Sequence, residues 1–91
     1  MDADEAIGII EQEGAGPARR WGDGPGDRYG RHIHDDQKVL FCLSGSIVFH
    51  VNDRDVELGP GDRLDLPART PHSATVGPTG CECVEGYRRA P

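Results

Sequence analysis

From Arg31 onward, turn-forming residues interrupt the chain at 44–45, 52–53, 59–62, 67–71 and 77–80, leaving only strand-length runs between them. No amphipathic helix fits between such breaks. This part of the chain is therefore predicted to be all-β, and short strands at such regular spacing fold as a sandwich or barrel. The strongest run, residues 38–51, is broken only by Ser44-Gly45 and reads as a hairpin with a two-residue loop. That register puts Lys38, Leu40, Cys42, Ile47, Phe49 and Val51 on one face, and Val39, Phe41, Leu43, Val48 and His50 on the other. Both faces are largely apolar, so both need cover. One would line the interior. The other calls for the N-terminal segment or a second subunit, and a homodimer is expected on that ground. The remaining strands are read at 56–58, 64–66, 72–76 and 81–87, the last two separated by the turn Gly77-Pro78-Thr79-Gly80.

Ninety-one residues suit one domain. It is divided here into an N-terminal segment, 1–17, and a β-barrel, 18–87. Residues 4–13 read as a short helix, with Ala6, Ile9 and Ile10 at i, i+3 and i+4, Asp2 or Asp4 as cap and Gly14 at the end. Gly8 and three isoleucines leave a strand open as the alternative. Residues 18–21 open the barrel as a first strand in this reading, and 22–30 form a loop.

The net charge of −6 and the lack of a basic stripe exclude a nucleic-acid binder. No apolar run approaches the roughly 20 residues of a membrane span, and the acidic start, residues 1–5, is unlike a secretory signal. Three cysteines in no disulfide-framework spacing point to a reducing cytoplasm.

His32 and His34 are one residue apart. On a strand they would project from the same face, with Cα atoms about 6.6 Å apart, close enough to converge on one ion. His72 follows the proline-rich turn and shares a face with Ala74 and Val76, pointing inward. An exposed polar His-x-His pair is the plainer alternative. Cys42 reads as core, and Cys81 and Cys83, which share a strand face, read as a buried or edge pair, with a zinc site shared with a histidine as the alternative. His50 falls on the face opposite Lys38. Trp21 and Tyr29 flank the loop before the histidines, where they would close a cavity mouth or add to the core. Asp36 and Gln37 read as turn residues, with oxygen ligation as the other option.

Gly30, His32, His34, Gly45, Gly61, Pro67 and His72 occur in an order and spacing that resembles the cupin superfamily. The first family motif, G-x5-H-x-H-x3-4-E-x6-G, is matched by H-I-H-D-D-Q-K-V-L-F-C-L-S-G, and the second, G-x5-P-x-G-x2-H-x3-N, by G-D-R-L-D-L-P-A-R-T-P-H. The resemblance covers about two-thirds of the chain, from Tyr29 to near Tyr87. It implies a double-stranded β-helix, a jelly-roll barrel, holding one divalent transition metal (iron, zinc, nickel, copper or manganese) on His32, His34 and His72. The family's glutamate ligand falls on Lys38, its second-motif glycine on Arg69 and its asparagine on Val76. A protonated lysine cannot ligate. The three-histidine set resembles that of thiol and diketone-cleaving dioxygenases.

The resemblance implies a metal that acts as a Lewis acid or binds oxygen. Lys38, Arg69 and Tyr29 would then contact a small anionic substrate, although a snorkelling or salt-bridged lysine is the plainer role for Lys38. Two rival readings are a non-catalytic binding or sensing module and a metal-free structural dimer, since one fold hosts many functions.

Overall fold

The Asp2 carboxylate accepts a hydrogen bond from the Glu5 amide at 2.8 Å and starts α1 (Ala3–Gln12), so the first segment is a helix and not a strand. In this computed structural model, which describes residues 1–90, six strands follow: β1 (Arg19–Asp23), β2 (Arg28–His32), β3 (Gln37–Val51), β4 (Arg54–Leu58), β5 (Arg63–Leu66) and β6 (His72–Arg88). The tetrapeptide Gly-Pro-Gly-Asp occurs twice and makes the same turn both times. The aspartate carboxylate accepts from the first glycine's amide at 2.9 Å in 24–27 and 2.8 Å in 59–62. Because 24–27 is this tight, the loop expected over 22–30 shrinks to the turn itself, and β1 and β2 take up its flanks.

Two long strands, β3 and β6, form the spine and pair antiparallel from Gln37↔Arg88 to Val51↔His72. The first half of β3 also pairs with β5, and its second half with β4. The first half of β6 also pairs with β2, and its second half with β1. The spine thus carries two four-stranded halves, β5-β3-β6-β1 and β4-β3-β6-β2, within one six-stranded sheet. One core cluster draws on both halves. Leu40, Cys42, Leu64, Leu66, Cys81 and Cys83 come from the first, and Ile47, Phe49, Leu58, Ala74 and Val76 from the second. The two halves therefore face each other across a shared core, the arrangement of a double-stranded β-helix.

Two turns predicted from the sequence are absent. Ser44-Gly45 is no hairpin loop: β3 runs straight through it, with register shifts between Cys42 and Ser44 and between Gly45 and Ile47. Gly77-Pro78-Thr79-Gly80 likewise lies inside β6, opposite that irregularity. Both are bulges where the spine bends. Gly45 has φ 68°, and a Cβ there would collide with the Gly80 carbonyl, so the two strands meet closely enough to demand glycine. The predicted faces nonetheless hold. Leu40, Cys42, Ile47 and Phe49 lie in the inner cluster, and Val39 and Phe41 in the outer one.

The outer face is covered by α1. Ala6 and Ile10, both fully buried, pack on Val39, Phe41 and Val84. The first half of the apolar face that motivated a dimer, Val39, Phe41 and Leu43, is thus covered within the chain, while Val48 and His50 lie outside that cluster. Gly86 lets the helix end approach, since a Cβ there would strike the Ala15 carbonyl and Ile10. Glu13, at the helix C-cap, accepts from Arg63 at 2.6 and 2.7 Å and from Arg88, tying α1 to β5 and β6. Among the described residues no helix is long and apolar enough to cross a membrane.

Ile10→Ala should destabilise the fold by about 2–5 kcal/mol through the cavity it leaves under α1, read as a lower urea midpoint with an unchanged slope. Glu13 offers a pH test. Hydrogen bonds from Arg63, then the charges of Arg63 and Arg88, outweigh desolvation and hold its carboxyl below the ordinary value of 4.5. A depressed folded-state pKa stabilises the fold above the ordinary value, and that share is lost as pH falls through the folded one. Glu13→Gln should therefore lower stability at pH 7 and flatten the acid limb below about pH 4.5 relative to wild type. Parallel acid limbs in urea titrations of the two proteins would refute this.

Candidate metal centre and cavity

His32 is the last residue of β2, and its partner across the sheet is His72, the first residue of β6. His34 lies beyond the strand end, so the shared strand face predicted for His32 and His34 is not what joins them. The chain is instead tied back there by the Arg69 amide, which donates to the His34 carbonyl at 2.7 Å. The three rings converge, with centroids 4.2 Å apart for His32–His72, 4.8 Å for His32–His34 and 5.2 Å for His34–His72. One ligand nitrogen from each lies within 4.8 Å of the others.

The hydrogen bonding of the rings suits a cation. Nδ1 of His32 sits 2.7 Å from the Gly30 carbonyl, and Nδ1 of His72 sits 2.9 Å from the Thr70 carbonyl. A carbonyl only accepts, so these nitrogens carry the proton and each Nε2 keeps its lone pair. Nε2 of His34 and of His72 are buried without any hydrogen-bond partner. Burial, then the charge of Lys38, pushes the His34 pKa down. Burial also pushes His72 down, against the bond to Thr70 and with help from His32 and Lys38. Converging ring nitrogens, two of them buried without a partner and two of the rings oriented by backbone carbonyls, are the donor set of a transition metal.

Beside the rings opens a cavity of about 450 Å³, a usual size for a small-molecule pocket. Its walls include Trp21, Tyr29, Phe49 and Tyr87 together with Arg19, Lys38 and Glu85. Lys38, 6 % exposed, stands 3.5 Å from Glu85 Oε1 and lies over the rings of Phe49 and Tyr87. Trp21 Nε1 donates to the same oxygen at 2.7 Å. Burial, with the Glu85 carboxylate nearby, raises the pKa of the Tyr87 phenol.

Of the residues predicted to contact a substrate, Lys38 and Tyr29 line the cavity. Tyr29 stacks edge-on against Trp21 at 5.8 Å. Arg69 is exposed and outside the lining, with its guanidinium 3.5 Å from the Asp35 carbonyl. Asp36 and Gln37 are engaged elsewhere, with the Ala90 amide and Arg88. His50 bonds Asp55 and Thr75, away from the triad. Cys42, Cys81 and Cys83 are free, buried thiols, and desolvation raises the pKa of each.

Sequence reasoning missed Glu85, Tyr87 and Arg19. The signal was period-two alternation. Cys81 and Cys83 share a strand face, and extending that face by two steps reaches Glu85 and Tyr87. The same extension from Trp21 reaches Arg19.

The cupin domain family model matches residues 20–84. The chain is 40 % identical over 50 residues to acireductone dioxygenase 4 of Arabidopsis thaliana, covering 50 % of this chain and 27 % of that protein. It is 38 % identical over 53 residues to quercetin 2,3-dioxygenase of Bacillus subtilis (strain 168), covering 56 % and 16 %. The chain thus spans well under a third of the length of these relatives. Among solved structures, one of DMSP lyases superposes with TM-score 0.75 at 30 % identity, over 80 % of this chain and 38 % of that one. A cupin superfamily protein of Desulfitobacterium hafniense superposes with TM-score 0.73 at 18 % identity, over 80 % and 66 %. Family match, superposed fold and converging histidines agree: the chain belongs to the cupin domain family.

Proposed function

We propose that this protein is a metal-dependent cupin of dioxygenase type, holding one divalent transition metal on His32, His34 and His72 and acting on a small, oxygen-bearing anionic molecule in the adjoining cavity. The observation that carries the reading is the pair of buried, unpartnered Nε2 atoms on His34 and His72, aimed with His32 at a common point. Burying an acceptor unsatisfied costs about 1–3 kcal/mol, and a cation at that point removes the cost for both. Similarity to two relatives named as dioxygenases supports the reaction type. Iron is our first choice of metal among iron, zinc, nickel, copper and manganese, all of which accept imidazole. The ion would supply a Lewis acid with open coordination positions.

The chain's own residues do the rest. Trp21, Tyr29, Phe49 and Tyr87 exclude water from the ligand's faces. The charge of Lys38 is already matched by Glu85. A ligand's negative charge would therefore meet Arg19, which lines the mouth and has no carboxylate partner within 4.0 Å among the described residues. Arg69 acts on the site through the backbone bond that fixes His34. In this reading the two half-sheets close into a barrel, and the three free thiols suit a reducing cytoplasm. A binding or sensing module without turnover is the second reading. It is favoured by Lys38, which stands where the family motif has a ligating glutamate.

Tag-free protein should carry about one equivalent of a transition metal by plasma mass spectrometry, and His72→Ala should lose it while keeping its β-sheet circular dichroism. An empty wild type that also refuses added iron, zinc, nickel, copper and manganese would end the metal reading. The iron form should consume oxygen when offered small enols or hydroxyketones, and His34→Ala should abolish this. Stable binding of such a compound with no oxygen uptake in any metal form would leave the sensing module.

A further inference from the structure

Glu85 is the one buried carboxylate in the wall of the cavity, 7 % exposed and set on β6 between the core residue Cys83 and Tyr87. Two of its polar neighbours use the same oxygen, and a third, the Tyr87 hydroxyl, also reaches the carboxylate. Trp21 Nε1 donates to Oε1 at 2.7 Å, and Lys38 Nζ stands 3.5 Å from it. Oε2 takes neither the Trp21 nor the Lys38 contact, and it is not among the sealed, unpartnered atoms, which among the described residues are the Nε2 atoms of His34 and His72. On a residue that lines the cavity, an oxygen left free by Trp21 and Lys38, with only the rotatable Tyr87 hydroxyl beside the carboxylate, is the one a ligand can reach.

Lys38 gives this carboxylate its counter-charge. It occupies the position where the family motif places a glutamate, and its ammonium lies 5.9 Å and 5.7 Å from the ring centres of Phe49 and Tyr87. A lysine committed to a buried partner and two aromatic faces is not free to bind an anion. A pre-positioned carboxylate oxygen between aromatic walls has one obvious use, which is to accept a charge-assisted hydrogen bond from a ligand hydroxyl.

We propose that Glu85, held by Trp21 and Lys38, is the ligand-orienting residue of this cavity and selects planar molecules that present a hydroxyl group to its Oε2. This rests on the reading of the cavity as a ligand pocket and deepens it. The ligand's aromatic or enolic plane lies against Trp21, Tyr29, Phe49 or Tyr87. One of its oxygens carries a proton toward Glu85 while others face the histidines. Selection follows from burial: a ligand lacking the hydroxyl leaves the carboxylate oxygen with no donor but the neighbouring Tyr87 phenol.

The test uses zinc-loaded protein, so that no turnover intervenes, with catechol and its dimethyl ether as matched probes in isothermal titration calorimetry. Lys38→Met/Glu85→Met removes the ion pair together and leaves no orphaned charge behind. It should weaken catechol about tenfold or more and leave the ether unchanged, since a charge-assisted bond is worth roughly 1.5–3 kcal/mol. Lys38→Met/Glu85→Gln keeps an acceptor without the charge and should fall between. Equal losses for both probes, or none for catechol, would overturn the proposal. Zinc content of the same samples separates the two readings. A wild type that takes up neither zinc nor the other four metals fails the metal reading, while the probe preference, measured in that metal-free protein, still decides the role of Glu85. If the first variant does not fold, by thermal melts, the glutamine variant decides alone by the ratio of catechol to ether affinity.

Discussion

The antiparallel pairing of β3 with β6 is the contact on which the rest of the molecule depends. Each long strand offers one edge to the other and the second edge to two short strands in succession, so the spine alone organises six strands. Its bend comes from the bulges at Gly45 and at 77–80. There the chains approach so closely that a side chain on Gly45 would overlap the Gly80 carbonyl. A flat spine would present one continuous face. A bent one folds the two halves toward each other, buries Leu40 and Cys42 with Ile47 and Phe49, and leaves a cavity at the histidine end where the core stops. Site and core are thus two ends of one enclosure.

Why the faces of β3 were legible while its topology was not follows from parity. A two-residue hairpin loop would put Cys42 and Ile47 on the same side, and the two register shifts between them leave both in the inner cluster as well. The apolar pattern over 38–51 therefore fits either structure, and only the long-range partner, β6, decides between them. Glycine in Ser44-Gly45 was correctly seen as special, but its cause is a close backbone approach across the sheet and not a chain reversal. β1 and β2 were harder to read because most of their residues are exposed, so little apolar alternation marks them. The histidines were legible through motif order and spacing. Glu85 lies outside both motifs, on a strand whose inner face also carries two cysteines, and the local pattern there looks like plain core.

The two polar groups of the enclosure solve the same problem differently. Burial lowers the pKa of His34 and His72, and their unpartnered Nε2 atoms define a cation position. Lys38 and Glu85 meet burial as an ion pair. A cationic residue this near the triad raises the cost of a metal ion there. The opposing carboxylate offsets it: Glu85 raises the pKa of His34 and His72 while Lys38 lowers it. Removing either partner of such a pair leaves a desolvated charge, whereas removing both leaves none. The lysine in the motif position is therefore intelligible only together with the carboxylate opposite, and the pair is best regarded as one neutral group.

That neutrality bears on what the cavity can recognise. Coulomb attraction between Lys38 and a free anion would be largely cancelled at the distance of Glu85, so attraction of an anionic ligand falls to the metal position and to Arg19 at the mouth. Deeper in, discrimination must come from directional bonds and from shape. The aromatic walls fix a plane, and the open oxygen of Glu85 fixes a direction within it. The histidine triad fixes where a second group must sit. Three constraints of different kind, on plane, donor position and metal position, orient a small molecule without a large contact surface. A domain of this size, with a cavity of about 450 Å³, has little other surface to use.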